Sequence, residues 1–251
     1  LHQDLSLDRV QTRRRLLQEF DGFRREADRS GMMEAMDQFG QQALGILTSG
    51  RLAAALDPDA EDPAVRERYR FSGSEAQLPS TTSDGPGATR KFLLARRLIE
   101  AGVRCVSLSI SDFDTHSGNF PRLKKLLPIL DHGLATLVED LSERGMLNDV
   151  LIVVWGEFGR TPRIDTKTGG RHHWPQVGPA LLIGGGLRSG LVIGETDREA
   201  GTVVSRPVHY KDIFATLYCQ VGLPADHTTL LDPQGRPQHL IDNGEPIREL
   251  I

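Results

Sequence analysis

The sequence predicts an α/β protein built around a largely parallel sheet. Three consecutive segments carry this prediction: a strand-like segment at 103–110, a helical segment at 121–144 and a second strand-like segment at 150–155. A strand, a helix and a strand in this order make a βαβ unit, which favours parallel pairing of the two strands. The 251 residues are enough for one large domain with a sizeable core.

Composition excludes several classes of function. The net charge of -4 and the pI near 6.1 argue against a surface that coats nucleic acid. No apolar run is long enough to predict a membrane span, and residues 1–10 lack the pattern of a signal peptide. Cys105 and Cys219 lie in apolar segments without CxxC spacing, so we expect small buried side chains rather than ligands or a disulfide.

The N-terminal part is predicted to be helical. Residues 6–50 carry apolar side chains at helical spacing with a break at Gly31, which predicts two helices. Residues 51–70 predict short helical turns interrupted by two Asp-Pro pairs. Residues 72–89 are rich in Ser, Thr, Gly and Pro and predict a long loop. The predicted organisation is a helical segment at 1–70, this loop, and an α/β core at 90–251.

Three helices are predicted in that core, and each is followed by a glycine, the residue that most often ends a helix. They span residues 91–101, 121–144 and 210–220, followed by Gly102, Gly145 and Gly222. His209 precedes the last of them and is predicted to have a structural role, as an N-cap or a support. Asp131-His132-Gly133 looks like a metal motif, but it falls inside the second helix and predicts a surface pair there.

Three strands are predicted between these helices. Residues 103–110 alternate, with apolar side chains on one face. Residues 150–155 are apolar throughout, which is typical of a strand buried on both faces. Residues 180–183 are the third strand, before three glycines that form a turn rather than a phosphate loop. The tail, residues 240–251, is expected to be a surface strap.

Polar residues follow the first two predicted strands. Asp114 and His116 come after the first strand, and Glu157 comes after the second. Ligands bind beyond the carboxyl ends of parallel strands, so we expect these side chains to meet at one edge of the sheet.

Asp114 and His116 form the first candidate motif. In an extended segment, residues two apart point to the same side, and a carboxylate with an imidazole suits zinc, manganese or iron. The alternative is that Asp114 caps the next helix and His116 is solvated, because a D-x-H pair is common.

The second motif is GEFGRTP, residues 156–162. Its glycines allow a tight turn after the strand. Glu157 is a candidate metal ligand or general base, and Arg160 offers a rigid fork for phosphate, sulfate or carboxylate. The alternative is that Glu157 and Arg160 pair with each other in a structural turn.

The third motif is GGRHHWP, residues 169–175. One of its two histidines is a candidate for completing a metal sphere, whereas adjacent histidines rarely both bind one ion. The alternative is a surface loop with Trp174 as its anchor.

The second and third motifs resemble the signature of a large bacterial family of unassigned function, which is placed in the alkaline phosphatase and sulfatase superfamily. Shorter matches make the resemblance cover nearly the whole chain. They lie at residues 113–116, 119–120, 206–209 and 244–248.

The resemblance implies a three-layer α/β/α sandwich with a largely parallel sheet, like that of alkaline phosphatase, and a metal-dependent hydrolase of phosphate or sulfate esters. By analogy, Asp114 and His116 bind one metal ion, His173 is a further ligand, and Glu157 serves a neighbouring ion. The ion would be divalent, with zinc, calcium and manganese as candidates.

The chain also departs from the family pattern. It has Glu157-Phe158 where many superfamily enzymes carry Asp-His, and His172 where the family usually has aspartate. An early strand followed by a nucleophile is not found. The chain is therefore expected to correspond to the C-terminal two-thirds of a family member, either a fragment that is inactive alone or a divergent short form, with the N-terminal part of the fold missing.

Two hypotheses of function follow. In the first, Glu157 with Arg160 or Arg171 acts at a metal-dependent ester hydrolase site, on a small anionic ester or a sulfated or phosphorylated glycan. In the second, the protein is a non-catalytic binder of an anionic ligand, or a structural surface protein. The resemblance also suggests an exported or periplasmic protein.

Overall fold

A computed structural model describes residues 8–9, 11–15, 38–41, 45, 50–72 and 87–251. The chain divides into two compact units, Leu1–Asp57 and Pro58–Ile251. In the first unit the Gly50–Ala55 helix is described. Most of the two helices predicted over 6–50, and most of the loop predicted over 72–89, lie outside the described residues.

The helices predicted for the second unit are confirmed. The short turns are a 3-10 helix at Pro58–Ala60 and an α-helix at Pro63–Arg68, and the longer helices are Arg90–Glu100, Asn119–Glu143 and Tyr210–Gln220. His209 is confirmed as an N-cap, because its Nδ1 accepts from the Lys211 N–H at 3.2 Å. No helix in the described part of the chain is long and apolar enough to cross a membrane.

The strands form small antiparallel sheets. In the part of the chain that the structure describes, eight strands pair two by two. The pairs are β1 (Leu151–Trp155) with β4 (Ala180–Gly184), β2 (Gly159–Arg160) with β3 (His173–Trp174), β5 (Glu195–Thr196) with β6 (Val203–Ser205), and β7 (Thr229–Leu231) with β8 (Pro237–His239).

The predicted three-layer sandwich with a largely parallel sheet is therefore wrong. β1 and β4 coincide with two predicted strands, but they run antiparallel, with Val153 opposite Leu182. Residues 103–110 form no strand. The chain between β1 and β4 contains the β2–β3 hairpin instead of a crossover helix, and strands joined without a crossover can pair only antiparallel.

Residues 103–110 show why alternation misled the prediction. Val103 N–H donates to the Leu98 carbonyl at the end of the preceding helix, at 3.0 Å, and Lys91 Nζ bonds the Ser109 carbonyl at 2.7 Å. Ile110 packs against a buried cluster. Leu108, on the same predicted face, is 37% exposed, so the apolar alternation marked neither a paired strand nor a continuous buried face.

The first buried cluster joins the helices Arg90–Glu100 and Asn119–Glu143. It is formed by Tyr69, Phe92, Leu93, Leu137 and Leu141. Gly133 allows the two helices to approach, because a Cβ there would lie 2.5 Å from ring atoms of Phe92. The Asp131-His132-Gly133 segment is confirmed as part of a helix, and its glycine is used for packing.

The second buried cluster refines the prediction for the tail. Ile247 and Leu250 are only 3% and 9% exposed and pack with Ile213 against Val153 and Leu182. The tail is therefore anchored in the core by Ile247 and Leu250, whereas its other residues are exposed or partly exposed, as the prediction of a surface strap expects. Its backbone is also bonded, since Ile247 N–H donates to Thr216 Oγ1 at 2.9 Å.

The prediction of buried cysteines is wrong. Cys105 and Cys219 are both free and exposed. Cys105 lies in the unpaired 103–110 segment, and Cys219 lies on an uncovered side of the Tyr210–Gln220 helix.

Candidate metal centre

Three predicted site residues converge at the surface: Asp114, His116 and His173. Asp114 Oδ1 lies 3.0 Å from His116 Nε2 and 3.2 Å from His173 Nε2. The two Nε2 atoms are 3.1 Å apart. The three atoms thus form a nearly equilateral triangle, and all three side chains are exposed.

A tight turn presents Asp114 and His116 together. Backbone bonds close it locally, with Thr115 N–H donating to Phe113 O at 2.9 Å and His116 N–H to Asp114 O at 3.0 Å. Thr115 between them is 1% exposed, and its hydroxyl donates to Asn119 Oδ1 at the start of the long helix. Thr115 is buried, and its two neighbours Asp114 and His116 lie on the solvent side, through a tight turn rather than the extended segment that the prediction assumed.

The β2–β3 hairpin presents His173. Arg160 is its cross-strand partner, and Gly159 pairs with Trp174. A Cβ at Gly159 would lie 1.9 Å from the Val177 carbonyl oxygen, so this position requires glycine. Trp174 Nε1 donates to the Gly201 carbonyl at 2.7 Å, which anchors the hairpin.

The loop of residues 165–170 fastens these two parts to each other. Gly118 N–H donates to the Thr168 carbonyl at 2.9 Å, and Thr168 Oγ1 donates to the His116 carbonyl at the same distance. A Cβ at Gly170 would lie 1.9 Å from the His116 carbonyl oxygen. Only a glycine permits this approach, so the second glycine of GGRHHWP sets the distance between the motifs.

Arg160 supports Asp114. Its Nη2 lies 2.6 Å from Asp114 Oδ1, and this hydrogen bond holds the pKa of Asp114 below its usual range. Asp114 is therefore an anion near neutral pH and able to bind a cation. Arg160 Nη1 is buried without a hydrogen-bond partner among the described residues. The alternative pairing with Glu157 is not formed in the described part of the chain, where the ion pair of Arg160 is with Asp114.

Two other predicted site residues lie differently. Glu157 is exposed in the bend between β1 and β2 and is not a member of the three-residue group found among the described residues. Arg171 Nε donates to the Thr161 carbonyl, so this part of its side chain holds the hairpin loop. Their catalytic roles stay predictions.

His172 and Asp165 form a pair that the sequence reasoning missed. His172 Nδ1 lies 3.3 Å from His116 Nδ1, and its Nε2 lies 3.5 Å from Asp165 Oδ2. Backbone N–H groups of Lys167 and Thr168 donate to Asp165 at 2.8 and 3.2 Å and lower its pKa. An aspartate that bonds a backbone N–H two residues on is an Asx turn, and the Asp-Thr-Lys-Thr sequence is the signal that points to it.

A family model described as a protein of unknown function (DUF1501) matches residues 1–251. The chain belongs to the DUF1501 family. The predicted membership of a family of unassigned function is thereby confirmed, and its placement in the alkaline phosphatase and sulfatase superfamily stays a prediction. Neither a curated protein nor a solved structure matches this DUF1501 chain.

The donor set of this DUF1501 protein fits a transition metal ion. With bonds of about 2.1 Å, neighbouring ligand atoms lie about 3.0 Å apart in an octahedral site and about 3.4 Å apart in a tetrahedral one. The observed separations of 3.0, 3.1 and 3.2 Å fall in and near this range. Two imidazole nitrogens favour zinc, iron or manganese over calcium, which takes oxygen ligands.

Proposed function

We propose that this DUF1501 protein binds one divalent metal ion at Asp114, His116 and His173 and hydrolyses an ester of phosphate or sulfate there. The observation that carries the proposal is the triangle of three ligand atoms 3.0–3.2 Å apart at an exposed position. Three protein ligands with open coordination positions are typical of a catalytic rather than a structural metal site. The exposure of the side chains leaves room for an ester and a water molecule.

The residues around the site would bind the ion and set the net charge near it. A divalent ion bound there would polarise the ester and lower the pKa of a bound water. Asp114 and Arg160 cancel each other's charge, so with neutral imidazoles the charge of the ion itself is left to attract an anion. Hydrolysis needs water as its only co-reactant and releases an alcohol and inorganic phosphate or sulfate.

The substrate class comes from the motif resemblance at residues 156–162 and 169–175. It favours a small phosphate or sulfate ester, or a glycan that carries such groups. Glu157 has no ligand role in this proposal, because it lies outside the triangle; a Glu157→Gln variant tests its predicted role as a base. If the Glu157→Gln variant still turns over the ester, Glu157 is not the base, and the metal ion activates the water.

Metal analysis and an ester assay test the proposal. The protein is loaded with zinc or manganese, dialysed, and assayed for bound metal by mass spectrometry and for turnover of aryl phosphate and aryl sulfate. We expect about one ion per chain, and a loss of affinity of at least about 100-fold in His173→Ala, because two ligands hold an ion poorly.

His227→Ala is the matched control. His227 Nε2 also lies near a carboxylate, 3.3 Å from Asp226 Oδ2, and both side chains are exposed. No third ligand joins this pair among the described residues, so its loss should leave metal binding unchanged. Equal metal content in the wild type and His173→Ala would overturn the proposal. Metal binding with no turnover of either ester would favour the non-catalytic binder of an anion.

A further inference from the structure

His116 has a different partner at each ring nitrogen. Its Nε2 lies in the ligand triangle, 3.0 Å from Asp114 Oδ1. Its Nδ1 lies on the other side of the ring, 3.3 Å from His172 Nδ1, and His172 Nε2 is in turn 3.5 Å from Asp165 Oδ2. His172 and Asp165 therefore follow one another behind the His116 ring, on the side opposite its ligand atom.

The order of this line restricts where the protons are. The Asp165 carboxylate can only accept, so its position 3.5 Å from His172 Nε2 favours the tautomer of His172 that carries its proton on Nε2. Neutral His172 then presents a bare Nδ1, which can accept a proton donated by His116 Nδ1. A neutral imidazole protonated at Nδ1 has its lone pair at Nε2, the atom that faces Asp114 and His173.

We infer that His172 and Asp165 are positioning residues of the metal centre, which hold His116 in the tautomer whose Nε2 binds the ion. The inference rests on the proposed function and adds the outer layer of the same site. Histidine ligands of metal ions usually donate their second N–H to a carboxylate, a carbonyl or another acceptor, and this bond fixes the ring. His172 takes that place here.

The backbone holds both residues in position. Thr161 N–H donates to the His172 carbonyl at 2.9 Å, and the His172 N–H donates to Thr161 Oγ1 at 3.1 Å. Asp165 is bonded to the same loop through its N–H, which donates to the Gly170 carbonyl at 2.9 Å. These bonds fix the backbone from which the His172 and Asp165 side chains extend, and the His172 ring itself is 58% exposed.

The first measurement uses the metal-free protein. Nitrogen chemical shifts of the His116 ring in a ¹⁵N-labelled sample report which nitrogen carries the proton. We expect the Nδ1–H tautomer in the wild type and a shift toward the Nε2–H tautomer in His172→Phe, which removes the acceptor. His172→Asn restores an acceptor oxygen near the Nδ1 position and should restore the wild-type pattern.

The second measurement is zinc affinity by calorimetry on the same variants. Loss of such an outer partner typically weakens metal binding about 10- to 100-fold, which is the expected effect of His172→Phe. His172→Asn should recover most of it. Asp165→Asn should give an intermediate loss, since a neutral amide is a weaker acceptor than a carboxylate. His227→Phe, at the exposed pair described above, should have no effect.

The outcomes separate the two proposals. An unchanged His116 tautomer or an unchanged zinc affinity in a folded His172→Phe protein overturns the positioning role. If the wild type binds no zinc, the proposed function fails, and the tautomer in metal-free protein still decides whether His172 sets the state of His116. If His172→Phe does not fold, the His116 tautomer and the zinc affinity are measured in His172→Asn and Asp165→Asn instead. Wild-type values in Asp165→Asn would then contradict the proposed role of Asp165.

Discussion

Two charged clusters in this chain are built in opposite ways. Arg96 is 1% exposed, and its three nitrogens each bond a different carboxylate. The distances are 2.9 Å to Asp140, 2.6 Å to Glu61 and 2.6 Å to Glu100. At the candidate metal centre the side chains of Asp114, His116 and His173 are 65%, 43% and 51% exposed.

The clusters also differ in how completely they are satisfied. Asp140 accepts from Tyr69 Oη at 2.9 Å and from Arg144 Nε at 2.7 Å besides Arg96, so both of its carboxylate oxygens are hydrogen-bonded. At the metal centre two imidazole nitrogens and a carboxylate oxygen face one another within 3.2 Å. Which imidazole nitrogen donates depends on the tautomers, and when both Nε2 atoms are without a proton a cation is the group that would satisfy the three atoms together. The buried, hydrogen-bonded charges around Arg96 thus stabilise the fold, and the exposed polar side chains of Asp114, His116 and His173 form the candidate site.

The largest expected effect is the loss of Arg96. Arg96→Met takes the shared guanidinium from three carboxylates, of which Asp140 is 3% exposed and keeps its bonds from Arg144 and Tyr69. Removing one partner of a buried ion pair costs about 3–5 kcal/mol, measured as the free energy of unfolding in urea. The control is Arg66→Met, whose partner Asp59 is 67% exposed and whose loss should cost about 1 kcal/mol or less. Similar losses in the two variants would remove the distinction between buried and exposed clusters.

Gly170→Ala should disturb the candidate metal centre by displacing the loop of residues 165–170 from His116. The added Cβ would lie 1.9 Å from the His116 carbonyl oxygen, and the forced shift of the loop should cost about 1–3 kcal/mol and lower zinc affinity. Gly178→Ala is the control, because the nearest atom to its Cβ would be 3.5 Å away. Unchanged unfolding and zinc binding in Gly170→Ala would mean that the loop adapts without strain.

Acid should destabilise the metal-free protein through the Arg96 cluster. Burial raises the pKa of Asp140 and Glu61, but hydrogen bonds from arginines outweigh it, and both end below their ordinary values of 3.8 and 4.5. Because the folded pKa is the lower one, their stabilisation is complete above these values and is lost as the pH falls through the folded pKa.

Unfolding curves of metal-free protein between pH 7 and pH 2 would test this assignment. Asp114→Asn should leave the pH dependence nearly intact, since an exposed pair contributes little, whereas Asp140→Asn should flatten it. A flattened profile in Asp114→Asn alone would assign acid stability to the metal centre instead.

The smallest effect concerns the hairpin anchor. Trp174→Phe removes the 2.7 Å bond from Nε1 to the Gly201 carbonyl, and losing a neutral hydrogen bond costs about 1 kcal/mol. Trp155→Phe should cost less, because Trp155 is 43% exposed and its ring contact with Phe214 is kept. A larger loss of stability in Trp155→Phe than in Trp174→Phe would mean that Trp174 is not what anchors the hairpin.

Local patterns in the sequence were reliable for single elements. The structure has helix boundaries where short-range signals predicted them: glycines follow the helices, and Asp62-Pro63 and His209-Tyr210 begin them. Each of these signals depends on residues within one helical turn. Asp114 and His116 also lie together as predicted, although a tight turn and not an extended segment places them there.

Pairing between distant segments was beyond such patterns. The antiparallel register of β1 with β4 and the absence of a strand at 103–110 depend on which backbone groups meet in three dimensions. The same is true of Asp165: the sequence signals its Asx turn, but its position beside His172 depends on the bond from its N–H to the Gly170 carbonyl. Burial of Ile247 and Leu250 also depends on a partner surface far away in the chain.

The sequence by itself determined which side chains can bind a metal ion and roughly where helices begin and end, because these properties are set by residue type and short-range spacing. Only the tertiary structure decided that His173, and not Glu157, joins Asp114 and His116. A ligand site needs atoms within a few ångströms, and that distance is set here by a hairpin and by glycines whose missing Cβ atoms let two loops touch.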